Sequence, residues 1–292
     1  MYRTSDTGDT WNLMFENVFF GYLTSADFSD SNTGWIVGNT RLGLPSASVV
    51  LKTIDGGNSW VEKFRLIDTL LYRVFFISET EGWIGGSASS LYKSSNSGEN
   101  WIKKSLDPTG SIFDIFFINE NTGWLIHGRT LKKTSNGGET WFVQKEFPHN
   151  NINKLFFIDE YYGWLTIGDY NLGKVLRTTN GGTDWLDSPD SSDYPMNEVY
   201  FINRFKGWAV AGGDSELWST NDGGINWDLN YLGYNESRKS VFFRDSLNGY
   251  VVGSSGLILK TTNGGVSWKK YISNIANNLN CIRFVDDNTG WI

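Results

Sequence analysis

Two short motifs hold a common register from one end of this chain to the other, and that register limits the fold more than any other feature. The first reads Ser/Thr-x-Asp/Asn-x-Gly-x-x-Trp. It occurs at Thr4 to Trp11, Thr53 to Trp60, Ser94 to Trp101, Thr134 to Trp141, Thr178 to Trp185, Thr220 to Trp227 and Thr261 to Trp268. The second is Gly followed by an aromatic residue, at Trp35, Trp83, Trp124, Trp164, Trp208, Tyr250 and Trp291. From each box Trp to the next of these aromatics the step is 24 residues once and 23 residues six times. The return to the next box varies from 17 to 25 residues. One half of a repeat of about 42 residues is therefore fixed in length, and the other half takes the insertions.

A third position falls seven residues before the second aromatic and is always Phe: Phe28, Phe76, Phe117, Phe157, Phe201, Phe243 and Phe284. It sits in short β-type runs such as RVFFI, DIFFI, KLFFI and SVFFR. Short strands with frequent turn signals and no helical periodicity indicate an all-β chain. Four strands, A to D, fit each repeat. In the second repeat they fall near 71–78, 82–87, 90–95 and 100–104. Radial repetition of four-stranded sheets solves the edge-strand problem, so the expectation is a seven-bladed β-propeller of four-stranded antiparallel blades, one domain over 1–292.

The ends of the chain predict how the seventh blade is made. Tyr2-Arg3-Thr4 matches the end of strand C, and Gly290-Trp291-Ile292 matches the start of strand B. Six complete A–B–C–D sets lie between about 23 and 271. Blade 7 is thus expected from about 1–20 and 275–292, with residues near 2–5 antiparallel to 289–292. The short strand B implies a fragment or trimmed chain. The residue before the repeated Phe is aromatic in five blades but Asp27 in the first and Arg283 in the last, which suggests an ion pair across that seam.

The box has a structural reading. Its Asp or Asn is a short acceptor for turn N–H groups, and its Ser or Thr hydroxyl can serve the same turn. The acceptors are Asp6, Asp55, Asn96, Asn136, Asn180, Asp222 and Asn263. Four of the seven are Asn, so the position needs the oxygen and not the charge that calcium binding or catalysis would need. Of the 14 Trp residues, thirteen belong to the two motifs. The last, Trp218, takes a strand-C position held by Tyr2, Leu51, Tyr92 and Leu176 elsewhere. The motif tryptophans are expected to be mostly buried, with indole N–H groups on backbone oxygens. Architecture accounts for the aromatic content, and a sugar-stacking platform is not required.

These residues carry a family resemblance. The box resembles the Asp-box, or BNR, repeat. The run NTGWIVG followed by VVLKTIDGGNSW is similar to the photosystem II stability/assembly factor-like group of Asp-box propellers, and the likeness extends over essentially the whole chain. The resemblance implies the propeller fold. For function it implies an assembly role or, since Asp-boxes also occur in sialidases, xyloglucan-active glycosidases and sortilin-type receptors, a carbohydrate-active alternative. It also favours an exported or extracellular location. The shared motifs are scaffold, so no functional residue carries over.

The rest of the sequence narrows the chemistry. A net charge of −7 disfavours nucleic acid and anionic membrane surfaces as general partners. No apolar run reaches the length of a membrane span, and the start MYRTSDTGDTW lacks signal-peptide features. The single Cys281 excludes an internal disulfide and is expected as a buried, inert thiol on an inner strand. His127 and His149 are the only histidines, with no ligand partner in range, so no zinc site and no cofactor are expected. A sialidase would need an Arg-Ile-Pro start and an arginine triad, and the ten arginines here are scattered with no such start. A glycosidase needs two carboxylates at a set spacing, and the sequence singles out none. Glu79, Glu81, Glu120, Asp159, Asp245 and Asp286 read as solvated A–B turn residues.

Two places remain as candidate sites. Ten residues before each Gly-aromatic position stand Ser25, Arg73, Asp114, Lys154, Glu198, Ser240 and Cys281. Four successive blades therefore alternate in sign. Arg73, Asp114, Lys154 and Glu198 are expected as partly exposed inter-blade ion pairs at the channel mouth, or else as a polar ligand site there. The second place is the loop face. The A–B and C–D turns share one face, while the D–A and B–C loops share the other and vary. Loops Asn39–Ser48, Asp169–Lys174, Asp187–Tyr194 and Asn230–Arg238 are the candidates for binding. The leading reading is a monomeric, non-enzymatic scaffold that binds a protein partner through that variable face. The alternative is a carbohydrate-active or carbohydrate-binding propeller.

Overall fold

Each repeat folds into a four-stranded antiparallel sheet, and the seven sheets make an all-β, seven-bladed propeller. The computed structural model describes the chain except residues 17–19, 41–46, 107–109, 149–150, 170, 214–215, 272 and 274. Two compact units are distinguished. One comprises Met1–Gly128, Lys132–Phe142 and Arg283–Ile292; the other comprises Arg129–Leu131 and Val143–Ile282.

In the first unit, blade 1 is Phe20–Phe28, Gly34–Thr40, Ala47–Thr53 and Val61–Ile67. Blade 2 is Leu71–Phe76, Gly82–Gly86, Leu91–Ser94 and Ile102–Lys104. The sheet of blade 3 runs through Ile112–Phe117, Gly123–His127, Thr130–Thr134 and Phe142–Glu146. The second unit holds blade 4 (Ile152–Phe157, Gly163–Asp169, Leu172–Thr178, Leu186–Asp187) and blade 5 (Met196–Phe201, Gly207–Ala211, Glu216–Thr220, Asp228–Tyr231). It also holds blade 6 (Arg238–Phe243, Gly249–Gly253, Ile258–Thr261, Lys269–Tyr271).

Blade 7 is closed as the chain ends predict, within the first unit. The order is Asn12–Leu13, Tyr2–Thr4, Gly290–Trp291, Arg283–Phe284. Arg3 sits opposite Trp291 and Thr4 opposite Gly290, and Tyr2 and Ile292 exchange N–H···O bonds of 2.8 and 3.0 Å. The seam therefore joins the first strand of the chain to the last by ordinary antiparallel pairing.

Strand B is buried along its whole length in blades 2, 3, 5 and 6, because strands A and C flank it and both its faces are covered. Strand D is the outer edge and is mostly solvated, as in Phe142–Glu146. The repeated Phe explains the Gly of the second motif. In blade 5 a Cβ at Gly207 would lie 2.5 Å from the Phe201 ring, so the ring lies flat on a backbone that has no room for a side chain. The other face of that Phe stacks on the motif Trp of the preceding blade. Phe201 and Trp164 are 3.5 Å apart at 10°, Phe243 and Trp208 3.4 Å at 10°, Phe76 and Trp35 3.4 Å at 9°, and at the seam Phe28 and Trp291 3.6 Å at 9°. The box Trp of the same blade then meets the Phe edge-on, as Trp227 meets Phe201 at 83° and Trp101 meets Phe76 at 81°. Three rings per repeat thus join blade to blade in the face-on and edge-on geometries that aromatic quadrupoles favour.

The Gly-Trp indoles are fully buried, but six of the seven box indoles are only half-buried, Trp227 being the exception. They cap the three-ring stack from outside, so one edge reaches solvent. Indole N–H bonds to backbone oxygens hold Trp35 (to Ser97), Trp164 (to Gly223), Trp291 (to Gly56), Trp60 (to Gly57) and Trp185 (to Gly182). Trp11, Trp101, Trp141, Trp227 and Trp268 have no acceptor among the described residues. Cys281 corrects another expectation: it precedes the short strand Arg283–Phe284 and is half-buried, not a buried residue of an inner strand.

Candidate functional site

The boxes form the same closed network in every blade. In the second unit, the Thr178 hydroxyl donates to Asn180 Oδ1 at 3.0 Å and accepts the Gly182 N–H at 2.9 Å, while Asn180 Oδ1 also accepts the Asp184 N–H at 2.9 Å. Thr53, Asp55, Gly57 and Ser59 repeat it with a carboxylate, as do Thr4 with Asp6 and Thr220 with Asp222. Asn96, Asn136 and Asn263 fill the same place. Both oxygens of Asp55 are taken, and the Ser59 hydroxyl and N–H hold its pKa down to about 2. At Gly138 the turn needs φ +78°, and a Cβ would lie 2.3 Å from the Trp83 ring. A box built this way holds a turn and has no oxygen aimed at a ligand.

The A–B turns are equally self-contained. Asp159 Oδ1 accepts the N–H groups of Tyr161 and Tyr162, and Asp245 and Asp286 do the same for their turns. Partial burial pushes these carboxyls up, and the turn N–H bonds more than offset it, so all three titrate below the usual range.

The four alternating charges lie near the start of strand A, and a feature invisible in the sequence sets their direction. In blades 1 to 6 strand A carries a register shift just before the position: Leu23/Ser25, Leu71/Arg73, Ile112/Asp114, Ile152/Lys154, Met196/Glu198 and Arg238/Ser240. A bulge re-aims the residue that follows it. In blades 1, 4 and 5 the skipped residue bonds to the next blade: Thr24 to the Leu71 carbonyl, Asn153 to that of Met196, Asn197 to that of Arg238.

Within the first unit this brings Arg73 and Asp114 to 2.8 Å, with side chains 9% and 2% exposed. The pair is buried, not partly exposed, because the bulge turns both groups between the inner strands. Arg73 also reaches Ser25 Oγ at 3.4 Å. Asp27 joins the same cluster. Its carboxylate accepts the Phe76 N–H at 2.6 Å. Burial raises its pKa, opposed first by Arg73 and then by the Phe76 N–H and Arg283 across the seam. In the second unit Glu198 accepts the Val241 N–H at 3.1 Å, and Lys154 is half-buried in strand A of blade 4.

The variable loops are packed by specific bonds. Most of Asn39–Ser48 lies outside the described residues, as does His149. In Asp187–Tyr194, Asp190 accepts the Trp227 N–H at 2.8 Å, and Ser192 donates to buried Glu216, which also takes the Trp218 indole at 3.1 Å. Lys174 meets Asp187 at 2.8 Å, and Lys270 meets Glu236 at 2.5 Å. His127 Nε2 lies 2.9 Å from Ser89 Oγ in a buried contact. Among the described residues no three His, Cys, Asp or Glu side chains are grouped to hold a metal. A depression of about 540 Å3 between the A–B turns of blades 2 and 3 is lined by Ile77, Ser78, Ile118, Asn119, Glu120, Asn121 and Thr122, with one carboxylate.

A repeat whose conserved-looking residues are all spent on turns and blade contacts defines an Asp-box propeller of the scaffold class. The chain belongs to the family described as photosynthesis system II assembly factor YCF48, whose model matches residues 4–111 and 189–274. It is 43% identical over 54 residues to the photosystem II stability/assembly factor HCF136, chloroplastic, of Arabidopsis thaliana; that stretch is 18% of this chain and only 13% of the plant protein's length. The fold is shared with a structure of YCF48 bound to D1 peptide (TM-score 0.76, 18% identity, 94% of this chain and 92% of that one). It is also shared with YCF48 from Cyanidioschyzon merolae (TM-score 0.74, 19% identity, 94% of each chain).

Proposed function

We propose that this chain is a non-enzymatic binding or assembly scaffold whose partner is a polypeptide, built as a single domain over residues 1–292. The observation that carries the reading is the family match over residues 4–111 and 189–274, taken with box Ser/Thr and Asp/Asn side chains whose oxygens are taken up by their own turns. A solved relative is YCF48 bound to D1 peptide, which supports a peptide or protein ligand. The D–A loops that follow blades 4 and 5, Asp187–Tyr194 and Asn230–Arg238, are the surface for one on the variable face. A glycosidase would need two carboxylates about 5–9.5 Å apart in one cleft. Glu216 is instead bonded to Ser192 and Trp218, and the depression near Glu120 has no second acid. Incubation of the full chain with xyloglucan is expected to release no reducing ends above buffer. Turnover that disappears on substituting a carboxylate would overturn the reading.

A further inference from the structure

The A–B turn tip, two residues before the motif Gly, is a place where the scaffold uses only the backbone. The carbonyls of Tyr161, Phe205 and Leu247 accept the N–H groups of Gly181, Gly223 and Gly264 at 2.8 Å. Asn32 and Asn121 do the same for Gly56 and Gly137 in blades 1 and 3. The side chain there is a free choice. Blades 7, 1, 2 and 3 place Asn288, Asn32, Thr80 and Asn121 at this tip. Blades 4, 5 and 6 place Tyr161, Phe205 and Leu247, exposed by 54% or more. The box shows the same contrast one residue after its second Gly. Asp9, Asn58, Glu99 and Glu139 stand there in blades 7, 1, 2 and 3, against Thr183, Ile225 and Val266 in blades 4, 5 and 6. Ile225 is 47% exposed and Val266 86%.

These side chains belong to one surface of the second unit. Arg204 ties the turn of blade 5 to that of blade 4, reaching Asp159 at 2.8 Å and lying 4.3 Å over the Tyr162 ring. Lys206 ties blade 5 to blade 6 through the Ser246 carbonyl at 3.3 Å. Among the described residues Lys206 has no carboxylate partner; its other contact is the Trp208 ring at 5.2 Å. Exposed apolar residues are unremarkable singly, but a contiguous set rimmed by polar groups marks an interaction site. Here the set carries cations beside Phe205 and lacks the acids that blades 7, 2 and 3 carry at that box position.

We propose that the turn face of blades 4, 5 and 6 is a docking surface for a partner-protein segment carrying apolar side chains next to carboxylates. The proposal rests on the scaffold reading and adds a second surface, opposite in kind to the variable loops. Apolar area supplies the burial, and Lys206 and half-exposed Arg204 supply charge complementarity and orientation.

The test is selection of a displayed library of random 16-residue peptides on the full chain, followed by affinity measurement on variants. The variant Tyr161→Asn, Phe205→Asn, Leu247→Asn copies the sister blades, and its melting temperature is compared with the parent's. Val266→Glu is a single-site companion at a nearly fully solvated position. Enriched peptides are expected to combine Leu, Ile or Phe with Asp or Glu, to bind each variant at least tenfold more weakly, and to weaken with Lys206→Glu. Peptides that bind all variants as tightly as the parent would overturn the surface and leave the scaffold reading standing. Absence of any enriched peptide would overturn both. Flotation of the parent, but not the triple variant, with phosphatidylglycerol vesicles would reassign the face to a membrane. Self-association in sedimentation that the triple variant abolishes would reassign it to a second copy.

Discussion

Asp114→Leu is expected to cost roughly 3–5 kcal/mol of folding stability, because it takes the direct ion-pair partner from a buried Arg73. The two side chains meet at 2.8 Å and are almost wholly screened from water. Arg73→Met should be similarly costly, since buried Asp114 would lose its 2.8 Å ion-pair partner and Asp27 would lose the larger of the two arginine fields that oppose its burial. The double variant Arg73→Met, Asp114→Leu should lose far less than the sum, because a well-packed apolar pair replaces two charges whose desolvation was never fully repaid. Urea denaturation of all four proteins closes the cycle. Additivity within about 0.5 kcal/mol would show that the pair is not coupled.

Phe201→Ala is the second large effect expected, again about 3–5 kcal/mol. It removes the ring that stacks on Trp164 at 3.5 Å, receives the edge of Trp227 at 5.8 Å and covers Gly207. The two aromatic contacts add roughly 0.5–1.5 kcal/mol each to the lost burial. The urea midpoint should fall with the slope unchanged. Ile54→Ser, at a position 73% exposed, is the control and should stay within about 0.5 kcal/mol of the parent. An effect at Phe201 no larger than the control's would mean that the three-ring stack does not hold the blades together.

The repeat made the fold legible because its two motifs mark strand ends, and counting them also located the seam at Tyr2–Thr4 and Gly290–Trp291. Periodicity reports which residues recur and not which way they face. The bulge before Arg73 and Asp114 has no residue signature, since the skipped positions are Thr24, Tyr72, Phe113, Asn153, Asn197 and Lys239. Burial of that ion pair was therefore unreadable from spacing. The box tryptophans misled in the opposite direction: a large ring suggests a core, yet Trp101 and Trp141 cap a stack from its solvent side. The role of the Asn boxes was legible, because a turn bond needs an oxygen and Asn180 and Asp55 supply it alike. The apolar tips Tyr161, Phe205 and Leu247 were in plain view in the alignment of repeats, but only the backbone bonds to Gly181, Gly223 and Gly264 show that the scaffold does not require them.

Whether this propeller is a polypeptide-binding scaffold is tested most directly by calorimetric titration of the full chain with a peptide enriched from the displayed library and, separately, with a xyloglucan oligosaccharide. Saturable heat with the peptide and none with the sugar is the result predicted, accompanied by a melting temperature that rises with peptide concentration, as it must for a ligand of the folded state alone. Saturable binding of the sugar with no response to the peptide would contradict it.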